Sequence, residues 1–460
     1  MHRRRSKAGR NFLRLLFLAA AAAAVLAVIG AVRVGPPPTV TIEPRLPGIG
    51  KKTAIDVRAE EPRRGLAGLR VEFVQGERVE VLETRTHVPR PAWSFWGPRK
   101  VLDTLTVEVG SETIKGLKEG QATVRVVAER AGSWLRSPAP VTVERQLPVR
   151  LRPPSLQVVS SRTYVDQGGS EAVVYRVGES AVRSGVQAGD WWFPGFPLPG
   201  GGAQDRFALF GVPFDLGEVG SVRLVAEDEV GNVARASFID RFRPRPFRVD
   251  TIQVSESFLT RVVPPILDHE PELADKGNLL DNYLAINGDL RRKNARTLLE
   301  LSQKSQSKFL WSDVFVPMRN AQVMSSFADR RTYMYEGRAV DRQDHLGFDL
   351  ASTALAEVQS GNAGVVVLAR FFGIYGNTVV VDHGYGLQTL YGHLSSISVE
   401  EGQAVAKGQV VGRSGETGLA GGDHLHFSVL LHGLSVNPAE WWDSHWIHDR
   451  LKLKLGAALP

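Results

Sequence analysis

A chain of 460 residues, 43% hydrophobic and 23% charged, is long enough for about two to four domains with ample cores. It has no cysteine, which excludes a disulfide framework, a thiol nucleophile and thiolate metal ligands, so any metal must be held by His, Asp or Glu. The net charge of +7 favours polyanionic surfaces, but no basic stripe interleaved with aromatics accompanies it, and no nucleic-acid partner is expected.

Arg3, Arg4, Arg5, Lys7, Arg10 and Arg14 precede an uncharged apolar run, Leu15 to Val32. That run is at the short end of what crosses a ~30 Å hydrocarbon core. Phe12 and Leu13 extend it if Arg14 snorkels to the interface. Residues 1–36 therefore read as a basic cytoplasmic tail and a transmembrane anchor, in the inner membrane through residues 12–33. The cations before the run leave the N-terminus in the cytoplasm and the remainder outside, periplasmic or otherwise extracytoplasmic. A cleaved signal peptide is the competing reading, since the Ala-rich run ends in Gly30-Ala31; its length and the lack of an A-x-A site favour a retained anchor.

The 46 Gly and 26 Pro lean towards strands and turns. Residues 37–148 hold short alternating runs, among them Ala54–Arg58, Leu69–Val74, Leu105–Val109 and Ala122–Val127, which predict a β-sandwich. His87, Trp93, Phe95 and Trp96 fall in a Pro-rich loop expected to pack against it. Residues 149–247 begin at a Pro-rich boundary and read as a second, immunoglobulin-like β-module closed by a hairpin at Gly231-Asn232. The run from Trp191 to Gly202 is too rich in Pro and Gly for a regular strand or helix and reads as a surface loop. The β-modules offer surface for a protein partner. Residues 248–312 form a helical spacer: Leu279, Leu280, Tyr283, Leu284 and Ile286, then Leu290, Leu298, Leu299 and Leu301 beyond Asn287-Gly288, predict a helical hairpin.

Residues 313–445 change character again. Apolar runs at Val365–Leu368 and Thr378–Val381 are punctuated by glycines, the pattern of a compact antiparallel β-domain, followed by a tail at 446–460. The fold class is thus mostly β and multidomain, behind an N-terminal transmembrane helix. A catalytic zinc needs three protein ligands and an open position. His345 and Asp349 are four apart, and His424 and His426 are two apart, spacings that share a face in extended chain. His393 is a fifth candidate. His383 reads as structural, and His432, His445 and His448 as surface residues. No H-E-x-x-H, G-x-S-x-G or P-loop is present.

Taken together, His345-x-Gly-x-Asp349, Gly376-Asn-x-Val-Val-Val-Asp-His-Gly384, Tyr391-x-His393-Leu394, Gly402-x-x-Val-x-Lys-Gly-Gln-Val-Val-Gly412 and His424-Leu-His-Phe427 resemble the lysostaphin-type (LytM-type) zinc metalloendopeptidases, over residues 313–443. The resemblance implies Zn2+ held by His345, Asp349 and His426. It implies His424 as general base and His393 as its assistant. The implied substrate is the peptide crosslink of bacterial peptidoglycan, cut by a membrane-anchored hydrolase that remodels the cell wall. Two other functions remain on this fold: a non-catalytic regulator that binds and activates another wall hydrolase, and a structural wall-binding protein. The complete set of five residues weighs against the regulator. Gly422-Asp423 replaces the family's common Gly-Pro before His424, a departure that bears on substrate fit.

Overall fold

The computed structural model describes residues 7–460, so the Arg3–Arg5 cluster lies outside it. Helix α1 (Lys7–Val32) contains the apolar stretch Arg10–Val32, 23 residues that are almost wholly exposed and, by length and composition, enough to cross a membrane.

Two compact units follow from the packing, the described residues up to 153 with 228–232, and residues 154–227 with 233–460. The first unit holds two antiparallel sheets. One pairs Thr39–Pro44, Thr53–Glu60 and Leu102–Val109; the other orders Arg78–Thr86, Leu66–Gln75, Gly120–Arg130 and Val141–Val149. Alternate residues of these strands turn inward, so that Ile55, Val57, Val71, Phe73, Val107, Val124 and Val126 fill the space between the sheets. The Pro-rich loop departs from expectation. His87 does reach back, to Asp103, but Trp93, Phe95 and Trp96 are exposed instead of packed on the sandwich.

The second unit begins with two four-stranded sheets between residues 156 and 236. The expected loop at Trp191 is in part a strand: Trp191–Pro194 pairs with Ala181–Ala188 in the register Ala188↔Trp191 and Val186↔Phe193, and Phe193 is fully buried. The strand tolerates proline because it lies at the sheet edge and Pro194 ends it.

Helix α2 (Glu256–His269) starts at Ser255, whose Oγ accepts from the Phe258 amide. Helix α3 (Leu279–Ala285) continues through a wide π-type turn, Ile286–Leu290, into α4 (Arg291–Ser302). The hairpin bend is therefore at residues 270–278, not at Asn287-Gly288 as the sequence suggested. Asn287 stays helical because its buried side chain is used on both sides: Nδ2 donates to Asp341, and Oδ1 accepts from Arg291.

The last part is an eight-stranded sheet in the order Gln322–Ser325, Phe348–Ala351, Leu425–Leu431, Leu387–Leu394, Asn377–Gly384, Gly364–Phe371 and Ala404–Val405, with Leu434–Val436 beside Leu425–Leu431. Its apolar face shares one core with the preceding β-module, from Val173, Phe193 and Phe207 through Val381, Leu387 and Val429 to Trp441. Short helical turns after Ser444 add Ile447, Leu451, Leu455 and Leu459 to that core. His445 and His448 are exposed and His383 is buried. His432, expected at the surface, is buried, held by its tight turn against Phe193 and Phe196.

Candidate metal centre

Strand register assembles the centre. Phe348–Ala351 pairs with Leu425–Leu431 so that Asp349 lies opposite His426, and Gly392 faces the same His426 from the other side. His345 ends the strand Arg338–His345, and the chain turns through Leu346-Gly347 to bring Asp349 under it. A Cβ on Gly347 would come within 2.6 Å of His426 Nε2 and Ser428 Oγ, so only glycine lets these strands close. His393 follows Gly392 in a left-handed conformation, φ 61°, which non-glycine residues adopt uncommonly.

Within this frame His345 Nε2 lies 2.9 Å from Asp349 Oδ1 and 3.1 Å from His426 Nδ1, and His426 Nδ1 lies 3.1 Å from the same Oδ1. The opposite ring atoms fix the protons. His345 Nδ1 donates to Ser326 O at 3.0 Å. Ser428 Oγ gives its own proton to Leu346 O at 2.7 Å and so must accept from His426 Nε2 at 2.9 Å. The nitrogens turned inward therefore carry lone pairs, and they meet a carboxylate oxygen. Three electron-pair donors at this spacing repel one another unless a cation sits among them. Such a His, Asp, His set fits a zinc ion, and the donor atoms all lie within 4.8 Å of one another.

The carboxylate's other oxygen is also committed: Arg331 donates to Asp349 Oδ2 at 2.9 Å. Asp349 thus offers one oxygen inward and keeps the other tied. Arg331, not among the expected site residues, comes from the strand Asp329–Tyr335. The signal available was the period-2 pair Arg331 and Tyr333, both of which line the cavity.

The other two histidines stand at the rim. His424 Nδ1 donates to Gly422 O at 2.8 Å, leaving Nε2 as a lone pair 3.5 Å from Asp349 Oδ1. His393 Nδ1 donates to Thr417 O at 2.8 Å, and its ring centre is 4.9 Å from that of His424. Burial, then the neighbouring His424 and His426, hold His393 well below the ordinary histidine range, so it stays neutral. Burial opposes charge on His424 too, but contact with Asp349 more than offsets it and raises this histidine. Burial likewise pushes Asp349 up, and the surrounding histidines reverse that and hold it well below the usual carboxylate range. The cluster as a whole seeks positive charge.

All five residues line one cavity of about 230 Å³. Phe258, Tyr283, Asn287 and Arg291 of α2 to α4 form its outer wall. These helices are fastened to the loops beside the centre: Arg261 donates to Ala420 O and pairs with Glu416, and Asn294 Oδ1 accepts from the Ile374 amide.

Residues 343–438 match peptidase family M23. Among curated relatives, the peptidoglycan DD-endopeptidase ShyA of Vibrio cholerae is 32% identical over 166 residues, 36% of each chain. The DD-carboxypeptidase/endopeptidase Mpg of Neisseria meningitidis is 40% identical over 94 residues, 20% of this chain and 22% of that one. The match thus spans about a third or less of these relatives' own lengths. Among solved structures, the catalytic domain of the prophage-encoded M23 protein EnpA from Enterococcus faecalis is 26% identical, covering 27% of this chain and 95% of that one at a TM-score of 0.23. The C-terminal part of this chain carries a peptidase family M23 domain.

Proposed function

We propose that the chain is a membrane-anchored zinc endopeptidase that hydrolyses peptide crosslinks of bacterial peptidoglycan outside the cytoplasmic membrane. The observation that carries this reading is the convergence of lone pairs from His345 and His426 on Asp349 Oδ1, inside a segment that matches peptidase family M23. The substrate class follows the activity named for ShyA, and the extracytoplasmic placement follows α1 with the cations before its apolar stretch.

In this reading His345, Asp349 and His426 hold zinc, which supplies a Lewis acid for the scissile carbonyl and lowers the pKa of a water to ~7. His424 is the general base: with Nδ1–H fixed on Gly422 O, its free Nε2 takes the proton of the attacking water and returns it to the leaving amine. His393 also presents an unprotonated Nε2, so it orients that water as an acceptor instead of donating to the oxyanion. Arg331 holds Asp349 Oδ2, so that Oδ1 is the carboxylate oxygen that would be left to a metal.

The test is release of new amino termini from purified peptidoglycan by the full-length protein, with and without a chelator. Zinc-dependent release that a chelator abolishes and added zinc restores is expected. Zinc-loaded protein that binds the wall but releases nothing overturns the reading and leaves a regulator or structural protein.

A further inference from the structure

The loops that failed to pack on the first β-sandwich gather at one place, the point where α1 ends. Val88, Trp93, Phe95 and Trp96 belong to the loop after Arg78–Thr86, and Trp134 and Leu135 to the loop after Gly120–Arg130. Their exposures are 88%, 42%, 56%, 66%, 66% and 76%, a largely uncovered apolar surface. Side chains this large are normally drawn inward when the core has room.

Both loops are bonded to the end of the helix. The amides of Trp134 and Leu135 donate to Gly30 O and Ala31 O at 3.2 and 3.1 Å, and Ser133 Oγ donates to Ala31 O at 2.7 Å. These are carbonyls that a helix terminus leaves open. From the other side Arg33 donates to Ala92 O and Ser94 O at 3.3 and 3.0 Å, with its guanidinium 4.1 Å above the Phe95 ring. Arg64 ties the arrangement together by donating to Arg33 O at 2.8 Å. Gly30 lets the Trp134 indole lie against the helix, for a Cβ there would sit 2.9 Å from the ring. Helix end and sandwich are thus one fixed piece, and the aromatic groups surround the point where they join.

We propose that these loops form an interfacial aromatic collar that docks the first β-sandwich on the outer headgroup layer of the membrane. The inference rests on α1 as a retained span. The 23 residues of Arg10–Val32 extend about 34 Å, slightly more than a ~30 Å hydrocarbon core, so the helix end falls at headgroup depth. Tryptophan suits that depth, with an apolar ring and a polar N–H, and Arg33 lies where a cation meets lipid phosphate. A protein partner on this surface would have to occupy the same depth as the lipid headgroups, which favours the bilayer itself as the occupant.

The absence of cysteine makes the test clean. Full-length protein in phosphatidylethanolamine and phosphatidylglycerol vesicles is labelled with an environment-sensitive fluorophore at Trp96→Cys, Leu135→Cys, Val25→Cys or Val79→Cys, and lipids carrying a quencher near the headgroup are added. Labels at 96 and 135 are expected to shift to the blue and lose most of their emission, while the label at 79, exposed on a strand of the same unit, is unaffected. Position 25 reports the span itself. Quenching by deep-placed quenchers at 25, with 96 and 135 behaving like 79, overturns the collar and leaves the anchor standing. No quenching at 25 overturns the anchor, and the collar with it. All four positions are exposed, so labelling leaves the core intact.

Discussion

Two regions of this molecule bury an aspartate beside a histidine, and they do opposite things with it. In the first β-sandwich Asp103 receives a donor on each oxygen, Arg85 at 3.0 Å on Oδ1 and His87 Nε2 at 2.7 Å on Oδ2. The protein satisfies that carboxylate by itself. In the candidate metal centre Asp349 receives Arg331 on Oδ2, but Oδ1 faces nitrogens whose protons have been turned outward to Ser326 O, Ser428 Oγ and Gly422 O. Residue types and burial are similar. What separates a structural pair from a metal centre is where each histidine spends its N–H.

The largest effect that separates the two regions comes from the ligands. His426→Ala is expected to lose zinc and all measurable turnover, whereas His424→Ala keeps its zinc and loses about 10²- to 10⁴-fold in rate, read as metal content beside kcat. Full turnover in His424→Ala would remove the base assignment. Next, Arg331→Met frees Asp349 Oδ2 and is expected to weaken zinc binding by about 10- to 100-fold in a chelator competition; unchanged affinity would make Arg331 a packing residue only.

A smaller effect is acid sensitivity in metal-free protein. Burial lowers His383 to about 4, despite its bond to Ala363 O, and lowers His432 to about 4 as well. The unfolded chain takes up these protons near pH 6.5, so stability is full above that and falls as pH drops towards 4. Each contributes up to about 3 kcal/mol over that window. Denaturant unfolding should therefore show the second unit less stable at pH 5 than at pH 7, and His383→Gln should flatten the slope; equal stability at both pH values would contradict it. The smallest effect is at the comparison pair: His87→Ala should cost about 1–2 kcal/mol of first-unit stability with zinc content untouched.

Four of the five candidate positions were legible as the close pairs His345/Asp349 and His424/His426, while His393 stood out only within its Tyr-Gly-His-Leu motif; the sheet register and the turn at Leu346-Gly347 bring all five to one cavity. Arg331 was not: its period-2 spacing with Tyr333 marks a shared strand face, but that this face lines the cavity depends on how the hairpin ending at His345 folds over Asp349. The β-class and the apolar helix were legible from alternation and run length. Asn287-Gly288 misled because its helical state depends on Asp341, more than fifty residues away. Trp191–Pro194 misled because proline is judged by composition, and an edge position, which makes it harmless, is a property of the sheet. The exposed tryptophans at 93 and 96 misled for a related reason: an aromatic run says that a ring will be covered, not by what.

The outward hydrogen bonds of the centre also decide how mutagenesis can address it. Those of His345, His393 and His424 end on main-chain oxygens, of Ser326, Thr417 and Gly422, which survive replacement of the side chains there. Only His426 depends on a side chain, Ser428. A saturation screen around the centre should therefore be blind to three of its four proton positions and find the fourth at codon 428, where only a residue able to accept that N–H keeps the ligand nitrogen bare.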